Sequence, residues 1–393
     1  MMAAICAARK GAAVTLLEPN ERLGKKLNIT GKGRCNVTND SGRDELIAHV
    51  PRNGRFLYSA FTRWEGRDTM AFFEALGVPL KVERGKRVYP VSDRSFDISG
   101  ALEKELRRRN VRMVRDRAEA LILKDGRAVG AKSLTERYDA DAVIVACGGV
   151  SYPATGSTGD GYRLAKQAGH TVIPPRGSLV PLVSDDPDCG AMQGLSLRNV
   201  TLTVRNQKHK TVYEELGELL FTHFGVSGPL VLSASSHLRD WSGGPCRLSL
   251  DLKPGLEPEQ LDARILRDFE KYRNRDFRNA LDDLAGRSMI PVLVRRSAIP
   301  EETKVHSVTR SQRQNLVRLF KDFSISVTGP RPIAEAIVTA GGVRVGEIDP
   351  RTMESKLVRG LYFAGEILDT DAFTGGYNLQ IAWSTGHLAG EHL

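Results

Sequence analysis

The chain has no pair of cysteines at C-x-x-C spacing; its five, Cys6, Cys35, Cys147, Cys189 and Cys246, are scattered over 393 residues. That argues against a thiolate zinc site and against a dithiol redox centre, and it suits a reducing compartment, so the cytoplasm is the expected location. No apolar run approaches the roughly 18 residues of a membrane span, so no membrane partner is expected. Met1 to Ala8 is apolar, but it is short and has no basic flank, which makes it a poor signal peptide. No glycine loop ends in Gly-Lys-Ser/Thr, which removes the P-loop, and Ser227 has no nucleophile-elbow context, which weakens a hydrolase reading. No G-x-G-x-x-G marks a separate NAD(P)H-binding domain, and there is no internal repeat or low-complexity tract.

What the chain does hold is enough apolar residues (41%) and length for two or three globular domains. Its net charge of +10 suits phosphates, nucleotides or nucleic acid. Much of that charge falls in Glu103 to Asn110 and Arg112 to Arg117, which read as a helix with a solvated face leading into a strand. Neither RNP-type aromatics nor zinc-finger spacing accompanies it, so a solvated surface is expected rather than an RNA-binding stripe.

The C-terminus is the most informative stretch. Leu361 to Ala364 reads as a buried strand that stops at Gly365 and delivers Glu366, and Asp369 closes the segment. Thr374-Gly-Gly-Tyr-Asn-Leu-Gln380 then opens a helix over Leu379 to Leu388. A strand end beside a helix N-terminus presents free N–H groups and the positive end of the helix dipole to a ligand, which suggests a flavin nucleotide. At the front, Met2 to Lys10 is helical, Gly11 caps it, and Ala13 to Leu17 is a strand ending in Glu18, an acid placed to bind a ribose hydroxyl. In a full βαβ unit that acid lies about 20 residues beyond the G-x-G-x-x-G loop. The first strand and the pyrophosphate loop are therefore expected at or before residue 1, most simply through a start placed downstream of the true one. An ordinary αβ hairpin is the plainer alternative.

Between these ends, Gly24 to Thr38 is dense in functional types. Lys25, Lys26 and Arg34 offer cations to phosphates, Thr30 and Asn36 can contact hydroxyls or ring heteroatoms, and Gly31 and Gly33 allow close backbone approach. The plainer reading is a flexible basic loop. Asp141 to Cys147 is a nearly pure apolar strand, expected at the centre of a parallel sheet and ending in Gly148-Gly149. Thr69 to Leu76 and Asp97 to Arg109 read as helices, the second with Ile98, Leu102 and Leu106 on one face. From about residue 173 prolines and short alternating runs, Val200 to Arg205 and Arg247 to Leu252, indicate an antiparallel β domain with a helical stretch over 257–323. The expected division is 1–172 and 336–393 for a nucleotide domain and 173–335 for an insert. His223 and Tyr152 are the candidate acid–base residues; a lone histidine in the apolar surroundings of His223 is more often a hydrogen-bonded structural residue than a catalyst.

The segments Leu23 to Asn39, Gly148 to Gly161, Gly217 to Pro229, Ala340 to Val343, Thr352 to Lys356 and Leu361 to Gly386 together resemble the HI0933-like, or BaiN-like, family of bacterial flavoprotein oxidoreductases. The resemblance implies an α/β architecture: a glutathione-reductase-like, Rossmann-type FAD domain split by a β-barrel-like insert that carries helices. It implies that Glu18 holds the adenosine ribose and that Arg34, Cys35 and Asn36 line the flavin side. Gly148 and Gly149 would pass near the cofactor. Gly365 and Glu366 would meet the pyrophosphate and ribityl chain, with Gly375, Gly376, Tyr377, Asn378 and Leu379 at the isoalloxazine. It further implies hydride transfer to or from a small organic substrate, with NAD(P)H as a possible donor. A flavoenzyme acting on RNA and a non-catalytic remnant are the alternatives from other classes.

Overall fold

The computed structural model describes residues 1–206, 210–238 and 241–393. The chain forms two compact units, Met1–Ser178 with Pro332–Leu393, and Leu179–Arg331. Strand Val172–Ser178 pairs antiparallel with Val338–Val343, so the segments by which the chain leaves and re-enters the first unit are joined to each other there.

In the first unit, helix Met2–Arg9 ends at Gly11, whose φ of +97° turns the chain into strand Thr15–Leu17. That strand pairs in parallel with Arg112–Val114, reached through helix Ser95–Arg108. The helix buries Ile98, Leu102 and Leu106 completely, as their spacing demands. A second parallel pair joins Val143–Val145 to Leu361–Phe363. The far edge of Leu361–Phe363 is bridged by the backbone of Met353 and Ser355, at 3.1 and 2.7 Å. The expectation of a central strand at Asp141 to Cys147 is corrected. Among the described residues its other edge meets no strand and no ladder joins the two parallel pairs; Val143 and Ile144 are only half-buried, and Ala146 and Cys147 are exposed. A central strand needs a neighbour on each edge as well as cover on both faces, and here one edge alone is paired.

The C-terminal helix, Tyr377–Glu391, lies on Met2–Arg9 at close range. A Cβ added at Gly390 would stand 2.3 Å from the Ala3 carbonyl oxygen, so only glycine admits this approach. The same helix is tied to the segments before it through Gln380, whose side chain is fully buried. Its Oε1 accepts from Thr38 at 2.5 Å and Thr69 at 2.9 Å, and its Nε2 donates to the Trp64 carbonyl at 3.0 Å and to Ser384 at 2.9 Å.

In the second unit a seven-stranded sheet runs in the order Phe323–Val327, Cys246–Asp251, Ser196–Arg205, Thr211–Thr222, Gly225–Ser227, Leu182–Val183, Gly329–Pro330. All its pairings are antiparallel. The two outermost strands are consecutive in the chain, so the sheet rolls toward closure. Helices Pro258–Lys271, Ile290–Ser297 and Arg310–Lys321 contribute Leu261, Ile265, Leu293 and Leu316 to one core with the strands.

Much of the basic charge of the first unit is used internally. Glu105, buried on helix Ser95–Arg108, accepts from Arg9 at 3.0 Å, Arg108 at 2.6 Å and Arg109 at 3.1 Å. Burial alone would raise its carboxyl, but the bonds from Arg108, Arg9 and Arg109 outweigh it and hold it at about 2, against 4.5 ordinarily. A carboxyl depressed in the folded state stabilises above its unfolded pKa, and that stability is lost as pH falls from 4.5 through about 2. Over that interval denaturant stability is expected to drop by at most about 3 kcal/mol, less for screening at the exposed guanidinia. Glu105→Gln is expected to cost about 1–3 kcal/mol at neutral pH and to flatten this acid limb. An acid profile of the variant parallel to that of the wild type would refute the anchor.

Candidate cofactor site

The parallel pairs end in the residues that carry chemistry. Glu18 follows Thr15–Leu17 and keeps the register, its N–H donating to the Val114 carbonyl at 3.0 Å. One carboxylate oxygen accepts from the Asn20 backbone at 2.9 Å and side chain at 2.7 Å; the other takes no described partner. The Asn20 amide also reaches the Thr155 carbonyl, at 3.2 Å, in the loop that follows the second parallel pair. The ends of both pairs therefore face one locality within this unit.

Glu366, at the end of Leu361–Phe363, is the centre of a knot drawn from four segments. Lys26 Nζ donates to its two oxygens at 2.9 and 2.7 Å and to Ser151 Oγ at 2.7 Å. The Thr339 N–H reaches Oε1 at 2.8 Å, and the Ser151 hydroxyl lies 3.2 Å from the same oxygen. Thr339 Oγ1 in turn accepts from the Val150 and Ser151 N–H groups at 2.9 and 3.2 Å. Gly149 fits because a Cβ there would stand 2.2 Å from Thr339 Oγ1 and 3.1 Å from Glu366 Oε1. Ser151, Thr339 and Asn20 were missed from the sequence. The signal available was a single threonine inside the strand Val338-Thr-Ala-Gly-Gly-Val343, which the structure buries completely.

The segment Gly24 to Thr38 is not a flexible basic loop. It contains a short helix, Lys25–Ile29, that buries Leu27, and the Ser95 and Ser99 hydroxyls donate to Asn28. Lys25 is exposed with no described partner, whereas Lys26 is paired as above. Several residues expected at the ligand are engaged within the protein. Arg34 pairs with Glu83 and with Asp93 (2.7 Å) and lies 4.0 Å over the Tyr89 ring. Thr30 donates to the Leu27 carbonyl at 2.7 Å. Gly31 (φ +58°) passes close to Asn36 N, where a Cβ would be at 2.9 Å. Cys35 is fully buried and burial pushes its thiol up to about 12, so it is no nucleophile. Asn36, in the amide orientation that satisfies both ends, donates to the Val88 and Thr38 carbonyls and accepts from Gly376 N–H at 2.9 Å.

The glycines that open the C-terminal helix serve the chain itself. Gly375 and Gly376 have φ of +124° and +99°, and a Cβ on Gly376 would meet the Thr38 carbonyl oxygen at 2.3 Å. Tyr377 is buried and stacks on His49 with centroids 4.2 Å apart. The Asn378 amide pins Ala372, accepting from its N–H at 2.9 Å and donating to its carbonyl at 2.8 Å. Leu379 is half-buried against the core. Gly365 (φ +79°) donates to Thr385 at 2.9 Å. Asp369 is buried; Asn53 holds one carboxylate oxygen at 3.1 Å, with Arg52 at 3.5 Å from it, and the other has no hydrogen-bond partner among the described residues.

Tyr152 stands at φ +51° beside Ser151, half-buried, its hydroxyl without a described partner. His223 belongs to the second unit, at the turn between Thr211–Thr222 and Gly225–Ser227. It is exposed and its ring makes no described hydrogen bond, which corrects the expectation of a structural histidine in an apolar setting.

The donor set fits the polyol–diphosphate part of FAD. Glu18 offers hydroxyls a carboxylate oxygen with no described partner, Glu366 offers one that only Lys26 holds among the described residues, Lys25 is an ammonium with no described partner, and Gly148 (φ +74°) opens the backbone beside them.

Gln380 fixes the helix on which Gly376 to Asn378 stand. Gln380→Leu keeps the volume but removes the acceptor of two buried hydroxyls and the donor to Trp64. It is expected to cost about 2–4 kcal/mol in urea denaturation. A loss below about 0.5 kcal/mol would show that the network carries no stability.

The family model described as the HI0933-like protein Rossmann domain matches residues 1–392. Over 99% of its length the chain is 34% identical to a 3-dehydro-bile acid delta(4,6)-reductase of Clostridium scindens, of which 95% is covered. Over its whole length it is 31% identical to a ribosomal RNA dihydrouridine synthase of Escherichia coli, again with 95% covered. A protein of the same description from Haemophilus influenzae is 29% identical over 97% of the chain and 92% of that relative.

Proposed function

Because the chain belongs to the HI0933-like Rossmann-domain family of FAD-dependent oxidoreductases, we propose that it reduces a carbon–carbon double bond conjugated to a carbonyl group. The observation that carries the reading is the gathering of Glu18, Gly148–Gly149 and Glu366 at the ends of two parallel strand pairs. Two relatives support the substrate class. A 3-dehydro-bile acid delta(4,6)-reductase and a ribosomal RNA dihydrouridine synthase are each named for saturating a double bond in a ring system that carries a carbonyl group.

When bound, reduced FAD would supply a hydride to the carbon β to the carbonyl, with a reduced nicotinamide nucleotide as the proposed donor that reduces the flavin again. The chain's own residues bind, orient and protonate. Glu18 accepts from ribose hydroxyls with its free oxygen, Glu366 from the ribityl chain, and Lys25 meets phosphate. The second hydrogen is a proton, which joins the α carbon as the double bond is lost and comes from a side chain or from water. The Tyr152 hydroxyl, beside Ser151, is the proposed donor.

The test is a visible spectrum of the FAD-saturated protein. NADH or NADPH is expected to bleach the flavin bands and a cyclic enone to restore them in the absence of oxygen. A flavin that no enone re-oxidises would sink the reaction class. Glu18→Gln is expected to weaken FAD about tenfold in a fluorescence-quenching titration, through loss of one charge-assisted bond; an unchanged titration would remove Glu18 from the site.

A second reading has its own support in the net charge of +10 and the whole-length similarity to a ribosomal RNA dihydrouridine synthase. Here the reduced bond is that of a uracil base within RNA. The same anaerobic assay separates the two: re-oxidation by ribosomal RNA and not by free enones favours the RNA substrate.

A further inference from the structure

Lys26 is the one cation of the loop Gly24 to Thr38 held directly on a proposed cofactor ligand, and its surroundings bear on which flavin the site accepts. Its ammonium uses all three N–H donors on Glu366 Oε1 (2.9 Å), Oε2 (2.7 Å) and Ser151 Oγ (2.7 Å). Glu366 does not need Lys26 to keep its place. The Thr339 N–H holds Oε1 at 2.8 Å, and the buried Ser151 lies 3.2 Å from that oxygen. Oε2, by contrast, has Lys26 alone among the described residues. The two side chains are each 22% exposed, so their attraction is less screened than that of a surface pair. Lys26 stands on a five-residue helix after Gly24 (φ +70°), with a flexible four-carbon stem.

We propose that Lys26 selects flavins that carry phosphate. As a flavin dinucleotide binds, a ribityl hydroxyl takes the place of the ammonium on Glu366 and the ammonium passes to the diphosphate; this rests on the flavin reading given above. The exchange is close to balanced for FAD, because one charge-assisted contact replaces another. For riboflavin, which has no phosphate, the same hydroxyl would leave Lys26 half-buried without an anion, and binding is opposed. Lys25, exposed and without a described partner, has no such bond to exchange and adds only general attraction.

Wild type, Lys26→Met, Lys26→Gln and Lys26→Arg are titrated with FAD and with riboflavin by flavin fluorescence, each variant first checked for an unchanged thermal midpoint. Lys26→Met is expected to weaken FAD at least about tenfold and to leave riboflavin unchanged or tighter. Lys26→Arg should retain the preference for FAD, and Lys26→Gln, which keeps a hydrogen-bond donor without charge, should lose it. The dependence of FAD affinity on salt should fall in both neutral variants. Equal losses for the two flavins would make Lys26 a structural tie and overturn the exchange, as would no change for either. If Lys26→Met does not fold, the FAD-to-riboflavin ratio of Lys26→Gln decides. A wild-type protein that bound FAD but discriminated against riboflavin identically in every variant would refute only this inference. A wild type that bound neither would remove the flavin reading and the exchange together.

Discussion

The first unit depends on a primary amide in the dark. Gln380 is wholly buried and each of its polar atoms has partners, so the C-terminal helix, strand Thr38–Asn39 and helix Gly66–Ala75 are joined by groups that water cannot serve. Trp383 extends the seam, its indole N–H donating to the Val37 carbonyl at 2.8 Å. Because the helix cannot rotate without orphaning these groups, Gly376, Tyr377 and Asn378 are presented in one orientation. Gly376 can then lie against Thr38 at a distance no side chain allows. The glycine pair read as a ligand cradle is first of all a packing requirement, and any role toward a cofactor is built on that.

Charge tells a similar story. A basic composition suggests an anionic partner, yet Glu105 gathers three guanidinia and Arg34 is clamped between Glu83, Asp93 and the Tyr89 ring. In the second unit Arg296 bridges Asp186 and Asp188 while lying 4.4 Å over the Phe323 ring. Arginine serves such sites better than lysine because its planar fork makes several directed bonds at once. What distinguishes the proposed cofactor site is therefore the small number of charged groups with something still to give: Glu18, Lys25 and the Lys26–Glu366 pair.

Much of the fold was legible where periodicity is strong. Ile98, Leu102 and Leu106 announce their helix, and the alternation of Val200 to Arg205 announces an antiparallel strand. The C-terminal helix begins at Tyr377, ahead of the apolar residues that suggested Leu379, because Gly376 in the left-handed region sets the start. Helix Lys25–Ile29 was illegible: five residues have no intrinsic stability, and it exists through Leu27 and the serines that grip Asn28. Residues of the proposed site with an ionic signature, Glu18, Lys26 and Glu366, drew notice in the sequence. Ser151 and Thr339 were not, since a hydroxyl among glycines and aliphatics gives no sign of its partner until four segments meet.

The contact between Gly390 and Ala3 has one further consequence. A Cβ at position 390 would stand 2.3 Å from the Ala3 carbonyl oxygen, so helices Tyr377–Glu391 and Met2–Arg9 meet backbone to backbone. Main chains have no rotamers to trade, so this seam cannot loosen in small steps: a bulkier residue there parts the two helices as whole bodies.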